Sequence, residues 1–287
     1  MAKEYKDDYN FFPKTWQLPS DANDLKSQFS KKKNKTFIIK PVHMCQGRGI
    51  YLVRRFEDID QRNGEQLVAQ RYMAKPYLID NLKFDLRVYA LVNGVDPLRV
   101  FVYQEGLARF ATEEYVGPAK GNLENLFMHL TNYSINKKNE QFVQNNNIEN
   151  DDVGFKWSLT AFCNHLEQVG IDMDLMWSRI NDVIIKTLAC GENYVLQAMR
   201  KNNMFRLNCF EVFGFDILID SDLKPWVLEV NLSPSLATDS PLDMKIKSNL
   251  LTDTLNLVGV RKFDRRKESA NKLKFRSNTG AFTGSLG

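Results

Sequence analysis

Val212-Phe213-Gly214-Phe215-Asp216-Ile217-Leu218-Ile219-Asp220-Ser221-Asp222-Leu223-Lys224-Pro225-Trp226-Val227-Leu228-Glu229-Val230-Asn231 is the stretch whose reading decides the fold. Two apolar runs rich in β-formers flank a polar turn, the pattern of a β-hairpin. With 221–224 as a four-residue turn, Asp220 faces Pro225 and Asp216 lies directly across from Glu229. The two-residue period then puts Asn231 on the face of Glu229 and opposite Gly214, which has no side chain to crowd them. The other face reads Phe213, Phe215, Ile217 and Ile219 against Trp226, Leu228, Val230 and Leu232, and is expected to pack on helices.

Two carboxylates opposed on a sheet repel unless something positive lies between them. Asp216, Glu229 and Asn231 are therefore candidate metal ligands. An all-oxygen set suits Mg²⁺, which commonly takes one or two carboxylates plus substrate phosphates. The alternative is a lysine or arginine that pairs with both acids.

Outward from the hairpin, strands are predicted in 36–53, at 67–72 and 85–92, and as a pair at 99–103 and 107–111 joined by a Gln104-Glu105-Gly106 turn. Amphipathic helices are predicted at about 155–169 and 173–189, and another from Ser240-Pro241 to near Gly259. Residues 1–35 are polar, carry little periodicity and are expected to wrap a neighbouring surface; 113–152 are loop-rich. The fold class is α/β, on a mixed or antiparallel sheet.

The chain of 287 residues carries a net charge of +4, of which 261–276 alone contributes +6. A basic segment beside a near-neutral body suits an anionic partner or a solvated, disordered end. No nucleic-acid motif accompanies it, which argues against a nucleic-acid binder. No apolar run reaches the ~18 residues of a membrane helix, and the first residues have no apolar core of a secretory signal. Cys45, Cys163, Cys190 and Cys209 lack metal-type spacing and are expected to be reduced thiols.

Lys40 ends one strand and Gln46-Gly47-Arg48-Gly49 follows, glycines letting backbone amides approach a polyphosphate that lysine and arginine neutralise. Lys83, Asp85 and Arg87 alternate onto one face of a strand. Gln70-Arg71-Tyr72-Met73 suits a hinge holding a purine base, and Arg109 stands as an isolated cation able to clamp a carboxylate or an acyl phosphate. Thr131-Asn132-Tyr133-Ser134 is dense in hydrogen-bonding groups, while nearby His129 reads as a structural histidine.

Phe37-Ile38-Ile39-Lys40-Pro41, Cys45 to Ile50, Lys83 to Tyr89, His129 to Lys137 and Glu211 to Leu236 together resemble the tubulin–tyrosine ligase-like family of the ATP-grasp superfamily, most closely its polyglutamylase branch. The resemblance runs from about Asn10 to Gly259. It implies that Lys40, Gln46, Arg48, Gly49, Gln70, Arg71, Tyr72, Met73, Lys83, Asp85, Thr131 and Asn132 contact ATP. It further implies that Asp216, Glu229 and Asn231 hold Mg²⁺, and that Arg109, Tyr133, Ser134 and Lys156 position the incoming amino acid. Arg109, Lys83 and Glu229 would be the catalytic set.

The implied reaction activates an acceptor glutamate γ-carboxylate of a tubulin tail as an acylphosphate, which the amine of free L-glutamate attacks. The implied organisation is a linker remnant at 1–35, an ATP-grasp catalytic domain at 36–260 (lobes 36–110 and 111–260) and a basic tail at 261–287. The family's N-terminal subdomain is expected to be largely missing. A monomer in the cytoplasm, at the cytoskeleton and at cilia or basal bodies, is expected. The alternatives are a glycine or tyrosine ligase of the same family, or a truncated, impaired microtubule-binding protein.

Overall fold

A computed structural model describes residues 4–31, 35–44, 47–60, 64–145, 151–202, 209–259, 264 and 266–270. Cys45 and Gln46, Lys32 and Lys33, residues 146–150 and most of the basic segment fall outside these. In chain order the strands are β1 (Thr15–Leu18), β2 (Phe37–Pro41), β3 (Tyr51–Val53), β4 (Leu67–Arg71), β5 (Leu78–Ile79), β6 (Leu82–Val95), β7 (Leu98–Glu114), β8 (Lys156–Ser158), β9 (Glu211–Ile219) and β10 (Pro225–Leu232). The helices are α1 (Ala22–Lys31), α2 (Leu126–His129), α3 (Tyr133–Asn136), α4 (Leu159–Gln168), α5 (Met173–Lys201) and α6 (Pro241–Val258). Two compact units divide the chain, Met1–Leu250 and Leu251–Gly287, and both sheets belong to the first.

The smaller sheet has the order β1-β4-β2-β3, and every pairing in it is antiparallel. Phe37, Ile39 and Ala69 alternate onto the face that α1 covers through Leu25. Trp16 and Leu18 of β1 close that core, so the polar N-terminal segment supplies a strand and a helix rather than a surface wrap. The larger sheet runs β10-β9-β6-β7-β8, again antiparallel, with β5 hydrogen-bonded to β6. One face buries Phe84, Leu86, Phe215 and Ile217 against Phe162 and Leu166 of α4 and Met176, Ile180 and Ile184 of α5.

Four further elements depart from the sequence reading. The expected turn at 104–106 is the interior of β7, whose true hairpin partner is β6, joined at Val95 and Leu98. The register shifts between Val88 and Ala90, so 104–106 is a bulge region. A Cβ on Gly106 would collide with the Arg87 carbonyl oxygen and with Leu159, so this glycine marks a close backbone approach and not a turn. Helix α4 starts at Leu159, because 156–158 pair with β7 and Ser158 caps the helix by accepting from the Ala161 amide at 2.9 Å. Helix α5 continues past Gly191 to Lys201, its far end held where Leu196 and Met199 pack on Val92 and Val95.

The fourth departure is in the deciding hairpin. Its turn is one residue longer, so Pro225, Trp226 and Val227 pair with Ile219, Leu218 and Ile217. A bulge at Leu228 takes up the extra residue and restores Glu229 opposite Asp216 and Asn231 opposite Gly214. The bulge also swaps faces: Val227, not Trp226 or Leu228, joins the core. Val230 and Leu232 on the edge strand are exposed rather than packed on helices.

Candidate active site

The register of the larger sheet builds the site row by row on the face opposite α4 and α5. One row reads Glu229, Asp216, Arg87 and Leu107 across β10, β9, β6 and β7. Two residues along, Asp85, Arg109 and Lys156 align across β6, β7 and β8. Two residues the other way, Asn231, Gly214 and Tyr89 align. Since alternate residues share a face, sheet order alone gathers these side chains. Gly214 is needed here: a Cβ would stand 2.8 Å from Pro234 Cβ and 3.3 Å from Arg87 Cδ. Helix α6 lies over the same face, its Leu242, Ile246 and Leu250 packing on Tyr89 and Leu107.

Arg109 is not isolated. Its Nε and Nη2 reach Asp85 at 2.8 and 2.5 Å, and Nη2 reaches Asp216 at 2.9 Å. Arg87 grips Asp216 through Nε at 2.5 Å and Nη2 at 3.1 Å. The result is a buried ladder of alternating charge. Burial alone would push the Asp216 carboxyl up, but Arg109 and Arg87 override it and hold it below the usual carboxylate range. The arginine pairing left open by the sequence is thus realised on Asp216 and stops there.

The Glu229 side chain has no hydrogen bond or ion pair among the described residues. It opens on a concave cleft whose walls, followed by the neighbouring Asp216 carboxylate, push its carboxyl above the usual range. Asn231 donates Nδ2 to the Gly214 carbonyl at 3.1 Å, which leaves its side-chain oxygen as the acceptor. No cluster of three or more His, Cys, Asp or Glu side chains is poised for a metal among the described residues. The set is instead two carboxylates and an amide oxygen. Those residues fit Mg²⁺, for which substrate phosphates and water supply the remaining ligands, and the uncompensated charge at Glu229 is what a cation would relieve.

Two cavities meet here. A narrow one of about 70 Å³ is lined by Lys40, Gln70 to Met73, Lys83, Asp85, His129 to Asn132, Asp216 and Glu229. A wide cleft of about 990 Å³ is lined by Arg48, Arg87, Arg109, Asn132, Tyr133, Ser134, Lys156, Asp216, Glu229, Asn231, Asp243 and Lys247, among others. Lys40, Gln70, Asn132, Asp216 and Glu229 line both, so the two form one depression. Every residue that the resemblance assigned to a site lines it except Gly49, whose neighbour Gly47 does, and the undescribed Gln46.

In the narrow cavity Lys40 Nζ donates to Gln70 Oε1 at 2.9 Å, and Lys83 Nζ donates to Tyr72 Oη at 3.1 Å and to the His129 carbonyl at 2.7 Å. Burial lowers both lysines, Lys83 to about 7, where Asp85 opposes the shift and Lys40 adds to it. The buried Nη1 of Arg71 has no partner among the described residues, a state that a bound acceptor would end. Asn136 sets the 130–132 loop: its Oδ1 accepts from Thr112 N and Oγ1 at 2.9 and 2.8 Å, and its Nδ2 donates to the Leu130 and Asn132 carbonyls at 2.8 and 3.2 Å. Gly47 fits tightly below that loop, since a Cβ there would lie 2.6 Å from Ile135 Cδ1 and 3.2 Å from Asn132 Cγ.

In the wide cleft Lys156 bonds Asp243 at 2.7 Å and lies 4.1 Å from the centre of the Tyr133 ring. Lys247 meets the other Asp243 oxygen at 3.1 Å. Lys40, Arg48, Arg87, Arg109, Lys137, Lys156 and Lys247 outnumber Asp216, Glu229, Asp239 and Asp243, so the cleft is cationic. Arg87, His129, Asp243 and Lys247 escaped the sequence reading as site residues. Alternation put Arg87 on the right face, but nothing local to it marks Asp216 as its partner, and α6 reaches Lys156 only through tertiary packing.

Two antiparallel sheets facing one another across a charged depression, with helices on their outer faces, define an ATP-grasp α/β protein. The chain belongs to the tubulin-tyrosine ligase family, whose model matches residues 1–268. It is similar to a probable beta-tubulin polyglutamylase of Tetrahymena thermophila (48% identity over 90% of this chain and 22% of that protein). It is also similar to the tubulin polyglutamylase ttll6 of Danio rerio (48%, over 93% and 34%) and the tubulin monoglutamylase TTLL4 of Mus musculus (44%, over 88% and 21%). The chain thus spans between a fifth and about a third of these relatives' length.

Proposed function

We propose that this chain is an ATP- and Mg²⁺-dependent ligase that joins free L-glutamate, through its amine, to glutamate γ-carboxylates in tubulin tails. The observation that carries this reading is the sharing of Asp216 and Glu229 by the two cavities. A nucleotide in the narrow cavity would present its terminal phosphate at the seam where an acceptor in the wide cleft arrives. The names of the similar proteins, all glutamate-adding enzymes of tubulin, support the same substrate pair.

Phosphoryl transfer to a carboxylate demands positioning and charge neutralisation more than a covalent nucleophile. In this reading Lys40 and Lys83 neutralise the polyphosphate, with Arg48, Arg71, Thr131 and Asn132 around it, and the backbone at Gln70 to Met73 holds the base. Asp216, Glu229 and Asn231 would hold Mg²⁺, which when bound supplies charge neutralisation between phosphate and acceptor. Arg87 and Arg109, locked by Asp85 and Asp216, present a fixed positive field to the acyl phosphate formed on the acceptor. Tyr133, Ser134 and Lys156 position the incoming amino acid, whose amine then displaces phosphate. The cationic cleft recruits the acidic tail. The protein acts as a monomer on cytoplasmic microtubules, those of cilia included.

The test is incubation with tubulin, Mg-ATP and each of glutamate, glycine and tyrosine, followed by mass analysis of the tails. Glutamate adducts are expected, and Glu229→Gln is expected to abolish them while leaving the denaturation midpoint in place. Full turnover in that variant defeats the metal assignment; glycine or tyrosine adducts alone defeat the glutamate reading.

A further inference from the structure

The contacts among Tyr72, His129 and Lys83 form a chain whose directions follow from the tautomer of His129. His129 is fully buried, and its Nε2 lies 3.0 Å from the Asn122 carbonyl oxygen, which only accepts. Nε2 therefore carries the hydrogen. Burial, and then the charge of Lys83, depress this imidazole to about 4, so the ring is neutral and Nδ1 keeps a lone pair. Tyr72 Oη stands 3.0 Å from Nδ1, nearer than its 3.5 Å to the His129 carbonyl, and donates to it; the Tyr115 hydroxyl, which itself donates to the Ala74 carbonyl at 3.0 Å, is the other oxygen beside it. Burial raises Tyr72 well above its ordinary value, so the phenol retains the hydrogen it donates.

That direction leaves the Tyr72 oxygen free to accept from Lys83 Nζ, while a second ammonium hydrogen goes to the His129 carbonyl. In the ammonium form, the one an anion favours, one hydrogen of the three remains, and Lys83 lines the narrow cavity together with Tyr72 and His129. We propose that His129 is a positioning residue that, through the Tyr72 hydroxyl and its own carbonyl, aims the remaining Lys83 N–H at a polyphosphate in the narrow cavity. The inference rests on the nucleotide reading of that cavity. A histidine that merely fills space would tolerate any side chain of its size, whereas this one needs an acceptor where Nδ1 lies. Asparagine places Oδ1 near that point and leucine places a methyl there.

The experiment measures Mg-ATP affinity of the full chain by displacement of a fluorescent nucleotide analogue, with thermal melting recorded for each variant. Tyr72→Phe and His129→Leu are each expected to weaken binding about tenfold, the weight of one hydrogen bond to a charged group. Because both cut one chain, the double variant should bind within about twofold of the weaker single. His129→Asn should recover most of the loss. Additive losses in the double variant, His129→Asn as weak as His129→Leu, or Tyr72→Phe as tight as wild type would each overturn the inference. Should His129→Leu not fold, Tyr72→Phe and His129→Asn decide alone. Wild-type protein that does not bind Mg-ATP removes the nucleotide reading and this inference with it; wild type that binds while the variants bind equally well removes the inference only.

Discussion

The two halves of the depression hold buried cations in opposite ways. In the wide cleft Arg87 and Arg109 are locked by carboxylates, Asp216 taking both and Asp85 taking the second. In the narrow cavity Lys40 and Lys83 hydrogen-bond to neutral oxygens, those of Gln70, Tyr72 and His129. The difference follows from the side chains. A guanidinium does not give up its proton in a protein, so a buried arginine needs a counter-anion. A lysine can relieve its burial by losing charge, as Lys83 does above about 7, and recover it when an anion arrives. One half is a fixed field, and in the other Lys83 is a charge that a ligand switches on.

Removing the anion from the fixed half should produce the largest effect. Asp216→Ala leaves Arg87 without its carboxylate and Arg109 with one of two, and breaking a buried pair costs about 3–5 kcal/mol. Glu229, with no ion pair of its own among the described residues, should behave differently: Glu229→Gln is expected to stay within ~0.5 kcal/mol of wild type, as substitutions outside stabilising contacts do. Urea denaturation of both variants breaks the comparison if their midpoints move together.

The switchable half should respond to pH. Lys83 sits at about 7 in the folded chain against an ordinary 10.5. Between those values the unfolded chain keeps a proton that the folded chain has shed, so stability rises with pH across the window. The slope is at most ~1.4 kcal/mol per pH unit, and the burial cost is fully present below about 7. Nucleotide affinity should run the other way, falling by at most about tenfold per unit above about 7 as the ammonium deprotonates. Denaturation midpoints and nucleotide titrations from pH 6 to 9 measure both slopes, and Lys83→Met should flatten them. Slopes unchanged in that variant would place the titrating group elsewhere.

How much of this was legible in the sequence depends on how local each signal is. Asp216 opposite Glu229 follows from alternation within one hairpin, and the prediction survived a wrong turn length because the bulge at Leu228 offset it. That bulge has no signature in an apolar run. The same slip inverts the faces of Trp226, Val227 and Leu228, since a one-residue shift turns over each side chain until the bulge restores the register. Arg87 and Arg109 were visible as charged residues in strands, but their shared partner lies on β9, more than a hundred positions away in sequence for each. The strand order β9-β6-β7 that unites them is a property of the whole sheet. His129 reads as structural in sequence, and its partners Tyr72 and Asn122 lie 57 and 7 positions away, so no local pattern marks their meeting.

The misread segment at 104–106 supplies the smallest effect and a boundary for the contrast. As a bulge inside β7 it directs Glu105 away from the cation ladder and toward the start of α4. There Oε1 accepts from the Leu159 and Thr160 amides at 2.8 and 3.2 Å, and Oε2 from Thr160 Oγ1 at 2.6 Å. A carboxylate at a helix N-terminus contributes about 0.3–1 kcal/mol through the unsatisfied amides and the helix dipole. Glu105→Gln should therefore lower stability by that amount in urea. Nucleotide affinity and its pH slope should be unchanged, because α4 packs on the face of the larger sheet that buries Phe84 and Leu86, away from both cavities. A change in nucleotide affinity would mean that the sheet transmits strain from one face to the other, and the two cation sets would then be coupled rather than independently built.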